Sequence, residues 1–88
     1  MTDSDPWSDV DGLVRETFAK AFPGEDITED SDFFDLGGES IKAVEISAAM
    51  EQALGVPVHP SALILHPTVK DFVQALKTGR ELRDTENS

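Results

Sequence analysis

The sequence predicts an all-α fold, a small three-to-four-helix bundle with a long loop between helices 1 and 2. Three segments repeat their apolar residues at the three- and four-residue steps of an amphipathic helix. No segment alternates like a strand with a hairpin partner, because Val56-Pro57-Val58 is short and interrupted by proline. With 88 residues and no internal repeat, the chain has material for one small core.

The first helix is predicted to start at Asp5-Pro6 or at Ser8 and to end before Pro23-Gly24. Proline suits the first helical position and serine suits an N-cap, so both starts stay open. We expect Trp7 to pack against the first turn, with a contact to a partner protein as the alternative. The apolar residues at helical spacing are Val10, Leu13, Val14, Phe18, Ala21 and Phe22.

The long connection from Pro23 to Glu39 has few periodic residues, so it needs anchoring contacts or a function. The expected anchors are Ile27, Phe33 and Leu36. Phe33 and Phe34 are adjacent and would point to opposite sides of an extended chain. We therefore expect one ring to cover the core and the other to support the loop near Ser40, and the sequence leaves open which does which.

Helix 2 is predicted from Ser40 to Leu54 and is closed by Gly55 and Pro57. It carries two apolar stripes. The first comprises Ala43, Ile46, Met50 and Leu54, and the second comprises Ile41, Val44 and Ala48. A wide buried face would explain the second stripe, but we favour a partly exposed patch that other proteins contact, because it begins beside Ser40.

A short helix is predicted over Ser61 to Leu65, opened by Pro60, with its apolar residues forming a compact plug: Ala62, Leu63, Ile64 and Leu65. After Pro67, Thr68 and Asp71 resemble a capping box for the last helix. The inner face of that helix would be Val69, Phe72, Val73 and Leu76.

These elements divide the chain into three parts. Residues 1–6 are expected to form a disordered lead-in, and residues 7–78 the folded domain. The polar residues after Lys77-Thr78-Gly79 are expected to fray, which makes residues 79–88 a flexible tail.

The net charge is −11, and the segment from Glu25 to Glu39 has seven acidic residues and no basic one. A solvated loop is the default interpretation, but the segment leads into Ser40 and would steer basic partner surfaces towards it. Without a Lys/Arg cluster, nucleic acid and anionic membrane surfaces are disfavoured. The acidic N-terminus lacks an apolar signal core and no apolar run could span a bilayer, which favours a cytoplasmic location.

Catalytic and metal sites find no support in the sequence. A nucleophile elbow around Ser40 would need glycine where Lys42 stands, and His59 and His66 lie beside prolines, where surface or capping roles are usual. A calcium loop starting at Asp30 would meet Phe34 at its fifth position. The chain also has no cysteine, which excludes disulfides and thiolate metal sites, and no phosphate-binding loop.

Ser40 is instead a candidate anchor for a phosphate. Gly37 and Gly38 give backbone freedom immediately before it, and it opens a helix-forming segment. Its hydroxyl would meet unpaired backbone N–H groups and the positive end of the helix dipole. The alternative is a plain structural N-cap.

The segment Phe33 to Ile41, Phe-Phe-Asp-Leu-Gly-Gly-Glu-Ser-Ile, resembles the phosphopantetheine attachment signature of carrier proteins, in particular the peptidyl carrier (thiolation) domains of nonribosomal peptide synthesis. The resemblance continues through Leu54-Gly55-Val56 and His66-Pro67-Thr68-Val69, and covers about Val10 to Leu76. At two positions the chain departs from the usual pattern. Glu39 stands where Asp or His is common, and Ile41 where Leu is common, changes that bear on which modifying enzyme and partners recognise the site.

The resemblance implies an acyl carrier protein-like fold and a non-catalytic carrier. A phosphopantetheinyl transferase using coenzyme A and magnesium would attach 4′-phosphopantetheine to Ser40, and the thiol of the arm would hold an aminoacyl or acyl group as a thioester. Gly37 and Gly38 would let that enzyme approach the backbone, and Gly38 and Glu39 would bind the cofactor together with Ser40. Partner contacts would be made by an acidic rim and an apolar patch: Asp35, Glu39, Ile41, Val44 and Ala48.

The implied partners are the transferase, an adenylation or acyl-loading enzyme, and condensation or tailoring enzymes, each acting on a monomeric carrier. Three alternatives stay open: a polyketide or fatty acid carrier, although Gly-Gly before the serine favours the peptidyl type; a non-acylated acidic helical adaptor; and an enzyme. A free-standing carrier and a domain of a larger synthetase both fit the sequence.

Overall fold

The computed structural model describes residues 6–86, with side chains described for residues 7–79. A 3₁₀ helix at Pro6–Asp9 leads into α1 (Val10–Ala21), followed by α2 (Ser40–Leu54), α3 (Pro60–Leu65) and α4 (Val69–Glu86). Within the described part there is no strand, only an isolated bridge between Asp32 and Thr68. The predicted all-α bundle is thus confirmed. Residues 1–5 of the predicted lead-in and residues 87–88 of the predicted tail lie outside the described part.

The start of α1 differs from both predicted starts. The N-cap is Asp9, whose carboxylate accepts a hydrogen bond from the Gly12 N–H at 3.2 Å. Ser8 belongs to the preceding 3₁₀ helix, which begins at Pro6. A carboxylate at the N-cap both accepts this bond and places negative charge at the positive end of the helix dipole.

The core is built around phenylalanines from α1 and its C-cap, from α4 and from the loop before α2. The Phe18 ring lies 6.3 Å from Phe22 and 6.4 Å from Phe72, and Phe22 meets Phe33 of the loop edge-on at 5.9 Å. Trp7 is partly buried and packs against this core. The other predicted inner faces are buried as expected: Val10, Val14, Ala43, Ile46, Met50, Leu54, Val69, Val73 and Leu76.

The predicted plug in α3 is wrong for two of its members. Leu63 is fully buried, but Ile64 is 42% exposed and Leu65 is 73% exposed. Successive helical residues are rotated by about 100°, so four consecutive side chains cannot all face one core. The short helix therefore buries one leucine and presents two apolar side chains on the surface.

The last helix begins as predicted and ends later. The Thr68 hydroxyl accepts a hydrogen bond from the Asp71 N–H at 3.1 Å. The helix then continues through Gly79 to Glu86, so Gly79 does not end it. Glycine costs a helix only about 1 kcal/mol relative to alanine, and good helix formers follow it. The flexibility predicted for residues 79–88 stays a prediction.

The loop before α2 is fastened to the junction between α3 and α4. The Phe33 N–H donates to the Pro67 carbonyl at 2.7 Å, and the Val69 N–H donates to the Ser31 carbonyl at 3.0 Å. Ile27 and Leu36, the other predicted anchors, pack against the core. The chain ahead of Ser40 is thus held at fixed points although it has no regular secondary structure. In residues 6–86, no helix has the length and apolar character to cross a bilayer.

Candidate functional site at the start of α2

The residues just before α2 form one tight helical turn. The Asp32 carboxylate accepts hydrogen bonds from the Phe34 N–H at 2.8 Å and the Asp35 N–H at 3.2 Å. The Leu36 N–H donates to the Asp32 carbonyl at 3.0 Å. Asp32 therefore starts this turn as an N-cap starts a helix. This role of Asp32 is not among the predictions from the sequence, although an aspartate just before an apolar pair is a usual helix-start signal.

The turn ends in a Schellman motif. The Gly38 N–H donates to the Phe33 carbonyl at 2.9 Å, and the Gly37 N–H donates to the Phe34 carbonyl at 3.0 Å. Gly37 lies in the left-handed region with φ 93°, where a side chain would be strained. The first glycine of the pair is thus required by the geometry of the turn.

The second glycine is required by a close contact. A Cβ atom on Gly38 would lie 2.5 Å from the Cε1 and Cζ atoms of Phe33 and 2.6 Å from Cε2. The ring itself is fully buried. Both glycines therefore have a role in the fold of the loop. That they also let a modifying enzyme approach the backbone stays a prediction.

The two adjacent phenylalanines have different surroundings. Phe33 covers the core, whereas Phe34 is 49% exposed and meets the Phe33 ring edge-on at 5.4 Å. The expectation that one ring faces the core is confirmed, and the inward ring is Phe33. This same ring is the surface on which Gly38 lies.

Ser40 is the first residue of α2, not its N-cap. The N-cap is Glu39, with extended backbone angles of φ −145° and ψ −178°. The Glu39 carbonyl accepts the first helical hydrogen bond, from the Ala43 N–H at 2.9 Å. Ser40 is exposed, and in the described part of the chain its hydroxyl forms no hydrogen bond. The hydroxyl is therefore available to other molecules.

The N-terminus of α2 lacks the side-chain cap that the other described α-helices have. Asp9 caps α1, the His59 Nδ1 atom accepts from the Ser61 N–H in α3, and the Thr68 hydroxyl accepts in α4. Glu39 makes no such bond. The first N–H groups of α2 thus remain available beside the Ser40 hydroxyl, in the field of the positive helix end. This arrangement fits a phosphate group bound to that oxygen.

The second apolar stripe of α2 is on the surface. Ile41 is 67% exposed, Val44 is 54% exposed, and Ala48 is also exposed. The interpretation of this stripe as part of a wide buried face is therefore wrong. The stripe forms an exposed apolar patch. Whether partners contact the patch is a separate prediction.

The acidic residues near Ser40 lie on the same exposed segment. Asp35 and Glu39 are exposed and form no salt bridge with a described side chain. Further back along the loop, Asp30 lies 3.7 Å from the Lys70 ammonium. The part of the acidic segment nearest to Ser40 therefore keeps its charge open to a basic surface.

One basic residue lies in the first turn of α2. The Lys42 ammonium is 3.7 Å from the Glu45 carboxylate and 5.9 Å from the centroid of the Phe22 ring. These contacts hold Lys42 against the aromatic core at the junction of α1 and the loop. Sequence reasoning considered Lys42 only as a residue that breaks a nucleophile motif.

Residues 10–76 match the family model described as "Phosphopantetheine attachment site". Similar proteins include tyrocidine synthase 3 of Brevibacillus parabrevis, which is 29% identical over 80 residues, or 91% of this chain and 1% of that protein. Bacitracin synthase 2 of Bacillus licheniformis is 32% identical over 67 residues, or 76% of this chain and 3% of that protein. The chain thus spans only a few per cent of the length of these relatives.

Solved structures that share the fold include these two. One is BlmI, described as a type-II acyl-carrier-protein from Streptomyces verticillus involved in bleomycin biosynthesis, with a TM-score of 0.76 and 19% identity over 83% of this chain and 88% of that one. The other is described as a non-ribosomal PCP domain, with a TM-score of 0.65 and 20% identity over 84% of this chain and 90% of that one. At these identities the likeness concerns the fold.

Proposed function

The chain belongs to the phosphopantetheine attachment site family, whose domains carry a 4′-phosphopantetheine group, and we propose that Ser40 is the residue to which this group is attached. The observation that carries the proposal is the exposed Ser40 hydroxyl at the start of a helix that has no side-chain cap. The attachment signature from Phe33 to Ile41 supports the same residue, and it lies within the matched range 10–76.

The modification uses the Ser40 oxygen as its nucleophile. Ser40 Oγ forms a bond to the phosphorus that bears the pantetheine part of coenzyme A, the pyrophosphate bond breaks, and the adenosine bisphosphate half leaves with the bonding electrons. In our proposal the hydroxyl proton passes to a base of the transferase. Neither histidine of this chain acts as that base. His59 Nδ1 accepts from the Ser61 N–H, and His66 is the C-cap of α3.

The N-terminus of α2 then holds the phosphate. The negative charge on the phosphate oxygens would lie beside the N–H groups of Ile41 and Lys42, where the helix dipole favours an anion. When bound, the arm supplies a thiol that carries an aminoacyl or acyl group as a thioester, and the chain itself has no cysteine to compete with it.

We assign the protein the role of a peptidyl carrier in nonribosomal peptide biosynthesis, with transport and presentation as its contribution and no bond-making of its own. A short flexible tether gives a loaded group an effective concentration that can reach the mM range at a partner site. Docking can therefore stay weak enough for adenylation and condensation partners to act in turn. A cytoplasmic location and a monomeric state remain predictions from the sequence.

Partners would recognise the start of α2 through an apolar patch with an acidic rim. Ile41, Val44 and Ala48 supply exposed apolar surface, while Asp35 and Glu39 supply negative charge. Such a surface is complementary to a partner with an apolar centre and basic residues around it. The charged rim would raise association rates and make them sensitive to salt.

Intact-mass measurement tests the attachment. The protein is incubated with coenzyme A, magnesium and a broad-specificity phosphopantetheinyl transferase, and its mass should increase by one phosphopantetheine group. Ser40→Ala is the matched variant, and it should fold and keep its mass. An unchanged mass for the wild-type protein would rule out attachment and favour the acidic adaptor, and an increased mass for Ser40→Ala would move the attachment to another residue.

A further inference from the structure

We propose that Phe33 is a positioning residue for the modification of Ser40, an inference that rests on the proposed function. Its buried ring supports Gly38 and so determines where the start of α2 presents the Ser40 hydroxyl. Burial in the core alone would require only an apolar side chain at this place. The geometry points to a requirement for the far edge of an aromatic ring.

Phe33 holds the chain before Ser40 through its backbone as well as its ring. Its N–H donates to the Pro67 carbonyl at 2.7 Å, and its carbonyl accepts from the Gly38 N–H at 2.9 Å. One residue therefore connects the junction of α3 and α4 to the residue two positions before Ser40. Gly38 is hydrogen-bonded to Phe33, and Glu39 is already the N-cap of α2. The backbone between the Phe33 ring and the Ser40 hydroxyl is therefore short and held at both ends.

The ring contact is made by three particular atoms. A Cβ on Gly38 would lie within 2.6 Å of Cε1, Cζ and Cε2, the outer edge of the Phe33 ring. A leucine side chain ends at its δ carbons, one bond short of the ε carbons and two bonds short of Cζ. Phe33→Leu would thus keep an apolar side chain in the core but remove the surface on which Gly38 lies.

The position of the ring is itself fixed by its neighbours. Phe22 meets it edge-on at 5.9 Å, with an angle of 70° between the ring planes. The Lys42 ammonium lies 5.9 Å from the Phe22 centroid. The first turn of α2 is therefore tied to the same aromatic group from a second side, and a change at Phe33 would alter the support of Ser40 without touching the hydroxyl.

Transfer to Ser40 is sensitive to this support, because the nucleophilic oxygen must approach the phosphorus in line and at a near-contact distance. Displacements of about 1 Å from a productive geometry can lower a rate about 100-fold. A shift of the Gly38 backbone that moves Ser40 by a fraction of this distance would give a loss of about tenfold in kcat. KM should change little, since the exposed patch and acidic rim used for recognition remain.

The test measures transferase kinetics on Phe33→Leu, Gly38→Ala and the double variant. Each single variant should lose about tenfold in kcat, with KM within about twofold of wild type. In the double variant the added methyl group occupies space that the ring edge has left, so we expect kcat to recover to within about threefold of wild type. Such compensation is a coupling that a double-mutant cycle measures directly.

Phe72→Leu is the matched control. Phe72 is also fully buried and packs against Phe18, but it lies in α4, and the atoms nearest to a Cβ on Gly38 belong to Phe33. The Phe72→Leu variant should lower the unfolding midpoint as Phe33→Leu does, and it should leave kcat unchanged at a temperature where both variants are folded. Circular dichroism checks this folding. Gly38→Ala disturbs the same contact from the other side, and so tests the proposal even where Phe33→Leu does not fold.

Three results would overturn the proposal: wild-type kcat for folded Phe33→Leu or Gly38→Ala, a double variant as slow as the slower single variant, or a kcat loss in Phe72→Leu equal to that in Phe33→Leu. Failure of the proposed function gives a different result, because the wild-type protein would then not be modified at all.

Discussion

The N-terminus of α2 is predicted to be a weak point of the unmodified protein, which a shorter carboxylate should strengthen. Glu39 already has the extended backbone of an N-cap, but its side chain makes no capping bond. Asp is among the best N-cap residues, because its carboxylate reaches the N–H of the second or third helical residue, here Ile41 or Lys42. Glu39→Asp preserves the charge and changes only this reach.

The expected rise in stability can be estimated from N-cap contributions measured in other proteins. A good N-cap contributes about 1 kcal/mol, with a range of about 0.5–2 kcal/mol. For a domain of this size, 1 kcal/mol corresponds to a rise in Tm of about 4–8 °C. Thermal unfolding followed by circular dichroism measures this shift. Glu25→Asp is the control, because Glu25 is an exposed loop residue with the same charge that caps no helix.

The same variant also tests where the phosphate lies. If the phosphate on Ser40 uses the free N–H groups of α2, the gain from Glu39→Asp should be smaller in the modified protein than in the unmodified one. Unmodified Glu39→Asp with the Tm of wild type, or a Glu25→Asp control that gains as much, would refute the reasoning about the cap. An equal rise in Tm in the unmodified and modified proteins would support the cap but refute the idea that the phosphate uses the same N–H groups.

Three further predictions follow from burial and backbone geometry. Val44→Asp should impair reactions with partner enzymes in a loading assay while leaving the circular dichroism spectrum unchanged, because the side chain is exposed; an unfolded variant would contradict this. Leu63→Ala should lower the free energy of unfolding by about 2–5 kcal/mol and Leu65→Ala by less than about 0.5 kcal/mol in urea titrations, and similar losses would contradict the assigned burial. Gly37→Ala should destabilise the protein by about 1 kcal/mol although no atom lies within 4 Å of the added methyl group, and no loss would show that the left-handed φ costs nothing there.

Sequence reasoning could locate the helices because long apolar periods leave few ways to bury a core. Residues 40–54 match the predicted second helix at both ends. The C-terminal end was predictable because Gly55 can adopt the left-handed conformation, with φ 72°, that closes a helix. The start of α1 and the end of α4 were harder to predict. Ser8 and Asp9 are both good N-caps, and Gly79 costs too little to stop a helix that good helix formers continue.

The loop before Ser40 shows a different limit. Its anchors were identifiable as apolar residues, but the bonds that fasten Phe33 to Pro67 and Ser31 to Val69 join residues more than thirty positions apart. No local pattern contains that pairing. Whether the Phe33 ring faces the core depends on this pairing. The sequence could therefore predict that one of the two rings is buried, but not which one.

The glycine pair illustrates how a site can be built from folding requirements. Gly37 has the backbone angle that ends one helical turn, and Gly38 fits the ring of Phe33. The two glycines bring the chain from that turn into α2 within a few residues. Glu39 is therefore the residue at the N-cap position, and its side chain makes no capping bond. An exposed hydroxyl beside uncapped N–H groups is therefore a consequence of the way the turn is closed. The same closure that stabilises the loop leaves the start of the helix open to an anion.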